Sequence, residues 1–168
     1  MPVITFDPDG DFAITLTPSA GTNWGCVSDA SDLTYVYKNN TGSSADRYDM
    51  TDGIPGGSTI TSLVIWIRAA KVGGAAVCKA QSKNSIPGHN FSGTLRTLTT
   101  TITDYSDTYL VDPAHGTPWN VAELNAIVGG VEIQNVDSTV SKGRCHKVWM
   151  VVTYVLPNLR RLRVGVGL

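Results

Sequence analysis

Three aspartates at alternate positions, Asp7, Asp9 and Asp11, are the first residues whose types and spacing suggest chemistry. Hard carboxylate oxygens spaced this way form part of a calcium loop, but that loop also needs a later bidentate Glu, and none follows. Solvated carboxylates in a turn are the expected reading; Asp7, Asp9 and Asp11 stay as metal candidates and no metal is assigned. The histidines His89, His115 and His146 are dispersed, and no pair has zinc-ligand spacing. Asp112 and His115 could form an acid–base pair, although a hydrogen bond within a loop accounts for the spacing. The chain has no G-x-S-x-G elbow, no phosphate loop and no dinucleotide fingerprint. No catalytic residue and no cofactor are therefore assigned, and a non-enzyme is expected.

Aromatic side chains offer a different chemistry, stacking against a ligand. Trp24 and Trp119 flank turns and Trp149 lies within a strongly apolar segment, so core packing is expected for these three. Trp66 is the candidate for exposure, with Arg68 two residues along the same face of a strand. Cys26, Cys78 and Cys145 are an odd number with no close pair, which suggests reduced, mostly buried thiols, with one bridge between two of them as the alternative. The last segment carries Arg160, Arg161, Leu162 and Arg163. Leucines and valines interleaved with these arginines would be wasted on a solvated tail, so docking on a neighbouring subunit is expected.

These residues must be positioned by a β scaffold. The chain has 168 residues and 17.9 kDa, the size of one domain. It is rich in Thr, Gly and Ser, whereas Glu occurs only at positions 123 and 132. That mixture suits strands and turns rather than helices. Hydrophobic residues make up 42% and charged ones 16%, which argues against disorder. The formal charge of -1 gives no global drive toward nucleic acid or an acidic membrane. No apolar run approaches the ~20 residues of a membrane helix, and the N-terminus lacks the basic and apolar segments of a signal peptide.

Period-two alternation marks the strands. Within residues 59–70, Leu63, Ile65, Ile67 and Ala69 share one face, expected to be core, opposite Val64, Trp66 and Arg68. Residues 75–82 read as its hairpin partner. Residues 3–6 and 12–17 read as strands around a turn, and residues 1–20 as an N-terminal arm or first hairpin. Residues 145–156 are apolar on both faces, the pattern of a central strand covered on two sides. The single helix expected is residues 120–128, with Asn120 as cap and Gly129-Gly130 as its stop. The fold class is all-β, an antiparallel, jelly-roll-like sandwich over residues 1–156, followed by an extended or docked tail at 157–168.

Several segments resemble small β-sandwich virion proteins of tailed bacteriophages. They are Pro8-Asp9-Gly10-Asp11, Trp24 with Val27-Ser28-Asp29, Asp32-Leu33-Thr34-Tyr35-Val36 and the strand Ile60 to Ala69. Tyr105-Ser106 and Asp107-Thr108-Tyr109 leading into Asp112-Pro113, then Pro118 to Ile127, Gly130-Val131 and the strand Val148 to Val155, continue the pattern in order. The resemblance spans residues 7–156 and implies a capsid decoration, head-fibre or other accessory virion protein. It transfers no catalytic residue.

The expectation is thus a non-enzymatic structural protein of a phage particle, made in the host cytoplasm and resident in the virion. It would decorate or cement the shell by binding the major capsid protein or another virion protein, self-associating, with a trimer favoured. Trp66, Arg68, Arg160, Arg161, Leu162 and Arg163 are the expected interface residues. The alternative is a carbohydrate-binding module or a phage fibre or adhesion domain, using exposed rings on the sandwich. Neither nucleic acid nor membrane is an expected partner.

Overall fold

The computed structural model describes residues 1–29, 31–73, 76–136 and 142–157. The expected interface residues Arg160, Arg161, Leu162 and Arg163 lie outside the described residues. Two antiparallel sheets face each other as a sandwich. The strands are β1 (Val3–Phe6), β2 (Pro8–Ala13), β3 (Thr17–Pro18), β4 (Val36–Tyr37), β5 (Gly42–Met50) and β6 (Thr59–Val72). They continue with β7 (Cys78–Ile86), β8 (His89–Ser92), β9 (Arg96–Thr97), β10 (Thr103–Tyr109), β11 (Val128–Asn135) and β12 (Lys142–Val155). Two short helices, α1 (Asn23–Ser28) and α2 (Val121–Leu124), complete the described elements. The first sheet runs β10-β6-β12-β4-β3 with β1 also on β12; the second runs β2-β5-β11-β7-β8 with β9 also on β7.

Alternation determines what the sheets bury. Leu63, Ile65, Ile67 and Ala69 of β6 face inward, as do Val148, Met150 and Val152 of β12. A bulge between Cys145 and Lys147 inserts His146 and resets the parity of β12, so Cys145 and Val148 both point inward despite their odd spacing. From the second sheet come Tyr48 and Met50, Val131 and Ile133, and Cys78, Ala80 and Ile86. All three cysteines, Cys26, Cys78 and Cys145, are buried.

Several local expectations are corrected. β1 and β2 do not form a hairpin or an arm: β1 pairs with β12 in one sheet and β2 with β5 in the other, so Asp7 is the crossover. β7 is not the hairpin partner of β6, which lies between β10 and β12, because β7 crosses to the opposite sheet. The helix expected at 120–128 shrinks to Val121–Leu124, capped where the Asn120 side chain accepts from the Ala122 N–H at 2.8 Å. Gly129 and Gly130 do not stop it in left-handed geometry; they belong to β11, and neither has a positive φ. A Cβ on Gly129 would come within 2.3 Å of Met150 Cε, so glycine lets the facing sheet approach. The second helix, α1, is a departure from the single helix expected. Its cap Thr22 accepts from the Gly25 N–H at 3.2 Å, but at six residues around an internal glycine it carries no legible apolar stripe.

One buried carboxylate ties the second sheet to its surroundings. Asp46 is fully buried in β5. Its Oδ1 accepts from the Thr15 and Leu16 N–H groups at 2.6 and 2.7 Å, and its Oδ2 from Asn23 Nδ2 at 2.6 Å and Tyr48 Oη at 3.0 Å. These donors hold the chain after β2, the first turn of α1 and the middle of β5 on one group. Burial, and then the Asp46 charge, push the Tyr48 hydroxyl pKa well above its ordinary value, so it remains a donor. An Asp46→Ala variant strands four donors and is expected to lose at least about 4 kcal/mol, since each unpaired buried group costs about 1–3 kcal/mol. Urea unfolding with an unchanged slope measures this; a loss below about 1 kcal/mol would show that Asp46 is not the anchor.

Candidate functional site

The outer face of the first sheet gathers the aromatic and charged side chains most suited to holding a ligand. Trp66 of β6 and Trp149 of β12 are direct cross-strand partners. Their ring centroids are 5.5 Å apart and their planes differ by 6°, and both indoles are half-buried. Trp149 is therefore not a core residue, and the outer face of β12 is not covered as its apolar composition suggested. The alternation itself contained the signal: with Val148 and Met150 inward, Trp149 must point out, beside whatever β6 presents there. Trp119 is buried, donating Nε1–H to the Tyr109 carbonyl at 3.3 Å, and Trp24 packs against the core while partly exposed.

Charged groups frame the two indoles. Arg68 makes a forked pair with Asp104 of β10, Nε–Oδ1 at 2.7 Å and Nη2–Oδ2 at 3.0 Å, and reaches Asp32 at 3.5 Å. The Asp104 hydrogen bond raises the Arg68 pKa, and the same bond lowers that of Asp104, so both remain charged. Arg68 lies 6.0 Å from the Trp149 ring centroid and the Lys147 ammonium 5.5 Å from it. Lys147 also pairs with Asp7 at 3.6 Å. Val64 and Val151, directly paired, give an apolar row on the other side of the indoles. The result is a central pair of rings with an aliphatic border and an opposite border of fixed donors and acceptors. Along β12, Tyr35, Tyr37, Arg144 and His146 extend the face, with Arg144 4.1 Å from the Tyr35 ring. Burial lowers the His146 pKa.

The aspartates at 7, 9 and 11 do not converge. Asp7 pairs with Lys147, Asp9 is exposed, and Asp11 accepts from the Trp24 N–H at 2.8 Å. Among the described residues no group of three His, Cys, Asp or Glu side chains is placed to hold a metal. Asp112 and His115 do share a hydrogen bond, and the His115 ring meets that of His89 edge-on at 4.2 Å. Burial works against Asp112 ionisation, but the Ala114 N–H and His115 outweigh it and lower its pKa.

The outer face of the second sheet is organised around Glu132 of β11. Its carboxylate accepts from Ser43 Oγ, from Gln134 Nε2 at 3.1 Å and Gln81 Nε2 at 2.8 Å, and pairs with Lys83 at 3.1 Å.

The sequence matches no protein-family model and no curated protein. Among solved structures, the chain is similar to TmCBM61 in complex with beta-1,4-galactotriose, at 9% identity and a TM-score of 0.42 over 89% of this chain and 87% of that one. It is also similar to the family 11 carbohydrate-binding module of the cellulosomal cellulase Lic26A-Cel5E of Clostridium thermocellum, at 11% identity and a TM-score of 0.41 over the same shares. At this identity and TM-score neither likeness assigns a ligand to this chain.

Burial alone would raise the Glu132 pKa, but its four partners prevail and hold it at about 2, against an ordinary 4.5. A depressed folded-state pKa means the unfolded chain binds the proton first. The stabilisation, about 3 kcal/mol, is therefore complete above about pH 5 and drains away as pH falls toward 2. Glu132→Gln should flatten this acid limb in urea midpoints measured from pH 7 to pH 2.5; an unchanged limb would assign it elsewhere.

Proposed function

We propose that this chain is a non-catalytic binding module whose Trp66–Trp149 face holds a saccharide. The observation that carries this reading is the pair of nearly parallel, half-exposed indoles on an open sheet face. Sugar rings present C–H faces that pack on indoles and hydroxyls that need fixed hydrogen-bonding groups at the border. Arg68, Asp104, Asp32, Lys147 and Asp7 form such a border, and because they are already paired with one another they are held in place before a ligand arrives. Arg68, expected as an interface residue, acts here in positioning: it locks Asp104 and covers part of the Trp149 ring.

A second reading, the capsid decoration subunit that the resemblance implies, draws support from a separate observation. Val3, Leu110, Val111, Val155 and Leu156 are between 43% and 67% exposed and lie toward the same end of the first sheet. An aliphatic fringe of this kind suits docking on another protein, such as a shell subunit or a second copy. The two readings meet in an adhesion domain carried on a particle, with one end docked and the indole face free.

A glycan array followed by calorimetric titration of any ligand it identifies tests the first reading. Trp66→Ala and Trp149→Ala should each weaken saccharide binding at least tenfold, about 1.4 kcal/mol, with the variants still folded under the conditions of the titration. Silence across every glycan would sink it. Mass spectrometry of purified particles tests the second: hundreds of copies of the chain per particle are expected of a decoration subunit, and absence of the chain removes that reading.

A further inference from the structure

On the opposite side of the sandwich, the outer face of the second sheet contains a groove of about 580 Å³, within the range of small-ligand sites. Its lining includes Ile14, Thr15, Arg47, Lys83 and Asn90. Each side is fixed by interactions already described. The wall at Thr15 hangs on Asp46, and Lys83 is held by Glu132. Beside Arg47, β11 carries Gly130, where a Cβ would come within 2.0 Å of the Asp46 carbonyl oxygen. That close approach requires glycine beside Arg47.

The two cations of this groove are paired differently. Glu132 neutralises Lys83, whereas Arg47 has no carboxylate partner among the described residues. The Arg47 guanidinium is nevertheless positioned: Nη1 donates to Asn90 Oδ1 at 3.1 Å, and its carbon lies 5.7 Å from the centroid of the Phe12 ring. An arginine held this way keeps its remaining N–H donors for a planar anion, which a carboxylate matches in geometry. Phe12 and Ile14, 56% and 47% exposed, add apolar surface beside it, and Asn90 adds an amide.

From this we infer that the groove is a second ligand site, selective for a saccharide bearing a carboxylate, such as a uronic acid unit. Arg47 takes the carboxylate in a forked pair, Ile14 and Phe12 take the apolar face of the ring, and the Asn90 Nδ2 donates to a hydroxyl. This site lies on the other sheet from the indole pair and uses none of its residues, so either can fail alone.

The test uses a galacturonic acid oligosaccharide and its methyl ester, which keeps the rings and removes the charge, titrated by calorimetry and by amide chemical-shift changes. The acid is expected to bind at least tenfold more tightly than the ester, to weaken as salt rises, and to shift amides around residues 13–15, 47 and 83. Arg47→Gln should erase the preference for the acid, while Trp66→Ala should leave it intact. Ile14→Glu, which places a carboxylate at an exposed position in the groove, should block the acid without touching Arg47, so the inference stays testable if Arg47→Gln folds poorly. Equal binding of acid and ester, no binding of either, or a preference that survives both groove variants overturns it. Acid binding lost in Trp66→Ala and kept in Arg47→Gln would also overturn it, while leaving the indole-face reading standing.

Discussion

The buried carboxylate of Asp46 is the constraint on which the second sheet and much of its surface depend. A charge taken fully out of water is tolerated only when every lone pair is answered, and here two backbone N–H groups, an amide and a phenol answer it. Because those partners come from three separate stretches of chain, a single group sets the path from β2 through α1 to β5. Without it, the segment after β2 would lose both of its N–H anchors and keep the Thr15 hydroxyl's bonds to the Ala45 backbone and the Asn23 amide's bond to the Leu16 carbonyl. The same logic recurs on the outer face at Glu132, whose carboxylate is answered by Ser43, Gln81, Lys83 and Gln134.

Alternation made the two longest strands legible. The inward row Leu63, Ile65, Ile67 follows directly from period two, as does the all-β sandwich. What alternation could not show was sheet membership. Nothing in residues 75–82 distinguishes a hairpin partner of β6 from a strand that crosses to the other sheet, because both solutions bury the same side chains. The N-terminal strands failed for the same reason: a turn-like Asp7-Pro8-Asp9-Gly10 serves a crossover as well as a hairpin. The Asn120 cap marks the helix in the sequence, whereas Gly129-Gly130 has the form of a stop signal but serves tight packing between the sheets and between β5 and β11.

The candidate sites divide along similar lines. Trp66 and Arg68 were visible because they interrupt an otherwise aliphatic strand. Trp149 was hidden in a run apolar on both faces, where only the cross-strand register separates a core ring from a surface one. Arg47 and Lys83 carry no motif, and they become a groove only once β5, β7, β8 and the segment after β2 are brought together by the fold. The edge-on contact of His89 with His115 is likewise a product of loop placement. Spacing in sequence reports chemistry within one element, and these arrangements are all made between elements.

The pairing of β1 with β12 bears on how the domain responds to mechanical load. Val3 sits opposite Thr153 and Phe6 opposite Met150, so β1 lies beside the last part of β12, which β6 flanks on its other side. A force drawing those ends apart would open their hydrogen bonds one after another, like a zipper, instead of loading them together in shear. The fold would therefore yield first at β1, and because Asp7 alone joins β1 to β2, the load would pass next to the opposite sheet.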